Sequence, residues 1–371
     1  ISQEVEEVVV TATKKEESTQ DIAVSITAIT ADQLAADQIY DLQDLAEIVP
    51  GFGVAKGIGS GSGFVMRGIG SYGVGAAVVS SIVTSINGHS VNPSIMNDMG
   101  FMDLERIEVL NGPQGTLFGR NSVAGVINLV TARPTGEFEG YVDYESGNYD
   151  KETVKGAVNM PISDTVRARL AFMTNTRDGM VENTTNGNKM DDRNDQAVRL
   201  SLDWDINDVT ELKFTYSGQK SNDNRPQEEI SYCQQDPFFG CSPWVRGTPN
   251  TAADSRGIGA GLFSFIAALY PGTIQNDYRF SPTTAELNKL AIDREPTHVQ
   301  DIEFSNLELV RELSDNLTMT AKYSYETRRF QQMNDNDGST SLAPFIGAGV
   351  LLGLPPVESE QCFGTPTFGF C

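Results

Sequence analysis

Apolar and polar residues alternate in several segments of about ten residues after Pro134, the pattern expected of β-strands. In the segment from Thr210, Leu212, Phe214 and Tyr216 occupy every second position and mostly polar residues stand between them. The pattern predicts about seven strands, near residues 137–147, 150–160, 164–176, 193–205, 209–221, 297–312 and 315–331. Short and very long connections favour a barrel with tight turns at one rim and large loops at the other. An ordinary soluble antiparallel sheet alternates in the same way, so the pattern alone does not separate the two.

The residues before Pro134 show a different pattern, in which short apolar runs surround two helix signals. Thr30 with Gln33 three residues later forms a capping box, and Asp41 can cap a second helix. Strand-like runs flank these helices at VVVTAT, AVSITAIT, FVMRGI, SIVTSING, ERIEVL and GVINLVT. The first block is therefore predicted to be a small α+β domain.

The composition excludes several classes of function. Lys and Arg number 27 against 50 Asp and Glu, a net charge of −23, so a nucleic-acid partner is not expected. No apolar stretch reaches the roughly 18 residues of a transmembrane helix, whereas the weaker signal of a membrane β-barrel is not excluded. With two histidines and four cysteines, neither a metal site nor a cofactor is predicted. No nucleophile and base can be combined from these residues, so an enzyme is not expected.

Four cysteines point to an oxidising compartment. They form two close pairs, Cys233 with Cys241 and Cys362 with Cys371, at spacings that zinc sites do not favour. Two local disulfides are predicted, with free thiols as the alternative. Ile1 is not a methionine, and we expect the numbering to begin after a removed signal peptide, although a shortened chain would look the same.

Three stretches of the first block resemble the plug of TonB-dependent outer-membrane receptors. They are EVEEVVVTATKK near the N-terminus, VMRGIG from Val65, and LERIEVLNGPQGTLFGRNSVAGVINLVTARP from Leu104. The resemblance implies an α+β plug domain inside a transmembrane antiparallel β-barrel of about 22 strands. Residues 1–135 would be the plug and residues 136–371 the N-terminal portion of the barrel. Since seven strands cannot enclose such a plug, we expect the chain to be part of a longer protein.

The resemblance also implies a function and its partners. A receptor of this family lies in the outer membrane of a Gram-negative bacterium, in contact with lipid and lipopolysaccharide, with the plug N-terminus facing the periplasm. It binds a scarce nutrient, here with a ferric siderophore favoured, and imports it when TonB pulls on the plug. Oligosaccharides or other nutrients remain open as ligands. A non-transporting outer-membrane surface or assembly protein is the alternative from another class.

The segment that TonB would grip maps near the N-terminus. Pairing with the edge of a partner's sheet requires a mobile, β-prone segment, because backbone hydrogen bonds then supply the affinity. The predicted coupling residues are Glu7, Val8, Val9, Val10, Thr11 and Ala12. Alternatively, the coupling segment precedes Ile1 and VVVTAT is the first strand of the plug.

Two arginines and four glycines stand out in the motifs of the plug. Arg67 and Arg120 lie among glycines and apolar residues, and the resemblance implies that they pair with carboxylates of the barrel wall as a latch. The alternative is that each is a surface arginine bonded to carbonyls of its own loop. Glycines 112, 115, 119 and 125 are expected where the chain turns sharply or another backbone approaches closely.

Ligand contacts are expected at the loops of the plug that face outward. The candidate loops are Gly53–Gly63, Gly70–Ser80 and Gly88–Ile95, with Tyr72, His89 and Asn92 as candidate substrate-binding residues. Two apolar loop segments, residues 258–272 and 341–357, are candidates for a protein partner, because exposed apolar patches often mark interaction surfaces. Equally, these loops can pack on each other above the barrel.

Overall fold

The computed structural model describes residues 9–11, 17–18, 22, 24–56, 62–70, 80–91, 101–184, 186–225, 232–233, 245–246, 289–290, 295–333, 363–365 and 368–370. The chain divides into two units. The first comprises Ile1–Thr176, Asn194–Asn222 and Val299–Phe330, and the second Arg177–Arg193, Asp223–His298 and Gln331–Cys371.

Among the described residues at the start of the first unit, ten strands and three helices form the domain predicted to be the plug, and that name is kept for it. The strands are β1 (Val9–Val10), β2 (Glu17–Ser18), β3 (Ile26–Thr30), β4 (Phe52–Lys56), β5 (Ser62–Met66), β6 (Ile69–Gly70), β7 (Ile82–Ile86), β8 (His89–Val91), β9 (Leu104–Asn111) and β10 (Gly125–Thr131). Five of them form a mixed sheet in the order β3-β9-β10-β7-β8, in which only β10 and β7 run parallel. Strands β4-β5-β6 form a separate sheet, and β1 pairs only with β2.

The helices are α1 (Ala31–Ala36), α2 (Leu42–Ile48) and α3 (Gly115–Phe118). Both predicted N-caps are confirmed: the Thr30 hydroxyl accepts from the Gln33 amide at 3.3 Å, and the Asp41 carboxylate from the Asp44 amide at 3.0 Å. Each cap satisfies amides that the first helical turn leaves unpaired. Apolar residues of α1 and α2 pack against one face of the five-stranded sheet, where they form the main core with Ile107, Val109 and Ile127.

Glycines occupy the positions where the plug backbone turns or is approached closely. Gly112 and Gly119 have φ of +92° and +75°, in the left-handed region that glycine adopts without strain. A side chain at Gly125 would collide with the Leu110 carbonyl and with Met66. These three glycines therefore behave as predicted, whereas Gly115 begins α3 with open space around it.

The seven predicted strands after the plug are confirmed, and no bound differs from the prediction by more than two residues. They form one seven-stranded sheet in chain order, termed the wall. The strands are β11 (Glu139–Gly147), β12 (Lys151–Pro161), β13 (Val166–Arg177), β16 (Arg193–Asn207), β17 (Thr210–Asp223), β21 (Thr297–Ser314) and β22 (Leu317–Met333). Strands β11 and β22 form its two edges, so the described sheet is open.

The wall has an inverted polarity. Along β16 the buried positions include Ser201 and Asp203, whereas Val198, Leu200 and Trp204 are exposed. A soluble antiparallel sheet buries its apolar face, but a membrane barrel turns the apolar face outward and keeps polar residues inside. This sidedness favours the membrane barrel over the soluble sheet that the alternation alone left open.

The described part of the second unit consists of short paired strands. They are β14 (Val181–Asn183), β15 (Lys189–Met190), β18 (Tyr232–Cys233), β19 (Val245–Arg246), β20 (Lys289–Leu290), β23 (Phe363–Thr365) and β24 (Phe368–Phe370). Strand β14 pairs with β15 and β20, β18 with β19, and β23 with β24. Among the described residues, the helices are all too short and too polar to cross a bilayer. The apolar segments 258–272 and 341–357 lie outside the described residues.

The inverted polarity predicts a cost for charge on the exposed face of the wall. We expect Leu200→Lys, in the middle of β16, to lower the free energy of unfolding by about 2–4 kcal/mol, because a membrane barrel turns this face to lipid. Leu313→Lys is the matched control, since Leu313 is exposed but lies one residue before the end of β21, where the cost falls to about 0–1 kcal/mol. Urea unfolding from phospholipid vesicles measures both. Two equally small costs would indicate a sheet that faces water.

Candidate functional site

A buried ion pair joins the plug to the wall. Asp103 precedes β9, and its two carboxylate oxygens accept from Arg169 of β13, from Nε at 2.8 Å and from Nη2 at 2.6 Å. The Asp103 and Arg169 side chains are only 4% and 11% exposed. The Tyr141 hydroxyl of β11 donates to the same carboxylate at 3.2 Å. This two-bond geometry is the strong form of an arginine–carboxylate contact.

A second arginine of the wall binds the residue next to Asp103. Arg199 of β16 is buried and donates from Nη1 to the Met102 carbonyl at 2.7 Å and from Nε to the Ser217 hydroxyl at 3.1 Å. Asp103 itself has φ of +49°, a left-handed conformation that aspartate tolerates better than most residues. Three wall strands therefore hold one tight turn of the plug, Met102–Asp103.

The connection between plug and wall is held at two further points. Arg133 pairs with Asp203 of β16 and donates to the Thr215 hydroxyl of β17 at 3.1 Å. Burial lowers the pKa of the Arg133 guanidinium, and nearby acidic residues partly oppose this shift. Arginine stays protonated in proteins. Two residues on, the Thr135 amide donates to the Asn159 side chain at 2.9 Å. The end of the plug is thus bonded to the wall before β11 begins.

The two arginines predicted as a latch are both exposed, and the described contact of Arg67 is with the plug itself. Arg67 has φ of +51° in the two-residue turn between β5 and β6, is exposed, and donates to the Ser25 hydroxyl within the plug at 3.0 Å. Arg120 is also exposed, beyond α3. Among the described residues, no carboxylate of the wall pairs with either arginine, so a latch through Arg67 and Arg120 stays a prediction.

The sequence did not predict the contact of Asp103 with Arg169. In this contact the plug supplies the carboxylate and the wall supplies the arginine, the reverse of the predicted latch. One signal in the sequence points to this contact. Arg169 and Arg199 stand on strands that alternate, and a charged residue on the buried face needs a partner. The identity of that partner lay beyond the pattern, because Asp103 and Arg169 are 66 residues apart.

The predicted coupling segment lies on the plug where it is described. Val10 is fully buried in a small cluster with Val83, Leu110, Phe118 and Val126. The Thr11 amide donates to the Glu108 carboxylate at 2.8 Å. Of the other predicted residues, Val9 pairs through its backbone with Ser18, and Glu7, Val8 and Ala12 lie outside the described residues.

The candidate ligand contacts are not brought together in the described structure. His89 of β8 is only 5% exposed and its ring meets Phe304 of β21 edge-on at 6.4 Å between centroids. Tyr72 and Asn92 lie outside the described residues, as do most of the candidate loops and the side chains of all four cysteines. Ligand binding by these residues and the two disulfides stay predictions. The described residues hold no cluster of His, Cys, Asp and Glu that is arranged for a metal.

Comparisons with known proteins agree on one family. Residues 18–126 match the family model of the TonB-dependent Receptor Plug Domain. The chain is 29% identical over 47% of its length to an iron-regulated outer membrane virulence protein of Vibrio cholerae, covering 28% of that protein. It is 30% identical over 33% of its length to a vitamin B12 transporter of Vibrio vulnificus, covering 20% of that protein.

The fold is shared with solved receptors. The structure of the ferric yersiniabactin uptake receptor from Yersinia pestis superposes with a TM-score of 0.62 at 17% identity. That match covers 83% of this chain and 41% of the receptor. The chain therefore spans less than half of the proteins that it matches, and its likeness to the solved receptor reaches from the plug into the wall.

The buried pair predicts a large cost when one partner is removed. We expect Asp103→Ala to lower the free energy of unfolding by about 3–5 kcal/mol, because Arg169 is left buried without its counter-charge. The double variant Asp103→Ala, Arg169→Met should recover much of this loss, since it removes both charges. Guanidinium unfolding of the purified protein measures each variant.

Glu145→Ala is the matched control for the Asp103→Ala variant, because it also removes the carboxylate of an ion pair. Its partner Lys151 lies at 2.7 Å, but the Lys151 and Glu145 side chains are 32% and 41% exposed, and pairs open to solvent contribute about 0–1 kcal/mol. A loss for Asp103→Ala no larger than that for Glu145→Ala would contradict the assigned role of the pair.

Proposed function

Because the chain belongs to the TonB-dependent outer-membrane receptors, we propose that it is part of an active importer in the outer membrane of a Gram-negative bacterium. The importer binds a scarce nutrient, with a ferric siderophore favoured, and takes it up when TonB pulls on the plug. The observation that carries this proposal is the buried Asp103–Arg169 pair, which attaches a folded plug to the polar face of an outwardly apolar wall. Proteins of this family are receptors and not enzymes.

The proposed domain boundary follows from the connection between plug and wall. Residues 1–135 are assigned to the plug and residues 136–371 to the N-terminal portion of the barrel with its long loops. The bonds of Arg133 and Thr135 to the wall support this division, since the first wall strand begins four residues later at Glu139. The exposed apolar face of the wall supports contact with membrane lipid and, at the outer leaflet, with lipopolysaccharide.

Iron is favoured as the cargo by the proteins that this chain resembles. One relative is named for regulation by iron, and the solved neighbour is named for uptake of ferric yersiniabactin. The relative named for vitamin B12 keeps other nutrients open as the alternative, with oligosaccharides among them. The alternative function, a non-transporting surface or assembly protein, is supported by the apolar segments 258–272 and 341–357 alone. No contact among the described residues favours it.

Val9, Val10 and Thr11 have the properties that TonB coupling requires. Among the described residues, strand β1 comprises Val9 and Val10 and pairs with β2, outside the five-stranded sheet, so few of the described backbone bonds oppose its removal. Its β-branched residues suit addition to the edge of a partner's sheet. The short pairing supports a coupling segment at Glu7–Ala12, whereas the burial of Val10 is equally expected of a first strand of the plug.

Deleting Glu7–Ala12 should reduce TonB-dependent uptake to background while ligand binding is retained, because the ligand site and the coupling segment are separate. Uptake of radioactive iron supplied as ferric siderophores, and binding of the same chelates to whole cells, measure the two effects. Lys14→Ala with Lys15→Ala is the matched control, since it changes the same stretch but keeps its β-prone residues. Uptake that survives the deletion would place the coupling segment elsewhere in the protein.

A further inference from the structure

A buried carboxylate lies beneath the N-terminal segment. The Glu108 side chain, on β9, is 0% exposed. Two groups of the plug core bond to it: Arg106 supplies the counter-charge and donates from Nε to Oε1 at 2.9 Å, and Asn128 Nδ2 of β10 donates to Oε2 at 3.0 Å. A buried carboxylate requires such donors, because it has lost its hydration.

The N-terminal segment supplies the remaining donors. The Thr11 amide donates to Glu108 Oε1 at 2.8 Å, and the Thr11 hydroxyl lies 3.1 Å from Oε1 and 3.3 Å from Oε2. Val10 fills the apolar cluster beside this carboxylate. The segment is therefore attached to the plug by one polar and one apolar contact, in addition to the short β1–β2 pairing.

We propose that Glu108 is the docking residue of the coupling segment. It holds Val9–Thr11 on the plug in the resting protein and thereby limits the fraction of molecules whose segment is accessible to TonB. The coupling role of the segment rests on the function proposed above, whereas the docking itself is a property of the plug alone.

The arrangement of donors makes the docking reversible. When Thr11 leaves, Glu108 keeps both Arg106 and Asn128, so its charge stays paired and the sheet is not left with a stranded carboxylate. The contact of Thr11 with an ionised acceptor is nevertheless stronger than a neutral hydrogen bond. The segment is thus held firmly enough to be ordered and weakly enough to be released without unfolding the sheet.

Asn128 connects the docking residue to the β7–β8 hairpin. Its side-chain oxygen accepts from the Ser85 hydroxyl at 2.8 Å and from the Gly88 amide at 2.9 Å. Gly88 belongs to the two-residue turn that precedes His89, and the following loop is a candidate for ligand contact. A movement of this hairpin would therefore reorient the Asn128 amide that donates to Glu108.

Hydrogen–deuterium exchange of the Thr11 amide in the full chain tests the docking directly. We expect Thr11→Val to raise the exchange rate at position 11 about tenfold, because the hydroxyl bond to a charged acceptor is lost while the β-branched shape is kept. Thr11→Ser, which retains the hydroxyl, should leave the rate within about twofold of the original. Thr27→Val is the matched control on β3, and protection of β10 reports that each variant is folded.

The outcomes decide the proposal without reference to transport. Unchanged exchange in Thr11→Val, or an equal rise in Thr11→Ser, would overturn the docking role of Glu108. A rise confined to Thr11→Val supports it. A third variant, Glu108→Gln, keeps the sequence of the segment intact and should raise the exchange at position 11 at least as much as Thr11→Val.

Binding of the purified periplasmic domain of TonB separates this inference from the proposed function. Thr11→Val should lower the apparent Kd of the full chain for TonB about tenfold more than it lowers the Kd of an isolated peptide of residues 4–15. The difference arises because the accessibility of the segment limits binding only in the full chain. If exchange is faster but neither the full chain nor the peptide binds TonB, the docking proposal stands and TonB coupling by this segment is refuted. Faster exchange with unchanged relative affinity would refute the control of TonB access by Glu108.

Discussion

The structure depends on one desolvated charge pair, Asp103 of the plug with Arg169 of the wall. Each of these charges is excluded from water, and neither is tolerated there without the other. Arg199 and Tyr141 add their donors at the same turn, so three wall strands meet one bend of the plug. It follows that without the plug Arg169 would lose its counter-charge, and without the wall Asp103 would lose the donors Arg169 and Tyr141. This charge pair joins the two parts together with apolar contacts, which Met102 makes with Ala157, Ala171 and Met173, and which Ile302 and Phe304 make with the plug core.

The inverted polarity of the wall explains why the joint takes this form. A sheet that turns Val198, Leu200 and Trp204 outward has serines, arginines and aspartates left for its inner face. The polar residues of such a face must meet matching polar groups or water. The plug supplies carbonyls, a carboxylate and Arg133 to them, while its apolar core between the helices and the five-stranded sheet also includes Ile302 and Phe304 of β21.

The local structure was largely readable from the sequence, because it is determined by neighbouring residues. The caps at Thr30 and Asp41 and the bounds of the wall strands depend on spacing alone, and they are found as predicted. Alternation is symmetric between the two faces of a strand, however, so it does not say which face is buried. The pairing of Asp103 with Arg169 joins distant segments of the chain, so no local pattern indicates that the plug supplies the carboxylate of this contact.

If TonB pulls on the N-terminus as proposed, the N-terminal part of the plug should extend more easily than the part next to the wall. A pull on the N-terminus first loads the two-residue pairing of β1 with β2 and the Thr11–Glu108 contact. The next strand, β3, lies at the edge of the five-stranded sheet and pairs only with β9, so it can be peeled one bond at a time. By contrast, β10 pairs on both sides and continues into Arg133, which is bonded to the wall. The order of the strands therefore directs extension to the N-terminal part of the plug, while the part next to the wall stays attached at Asp103 and Arg133.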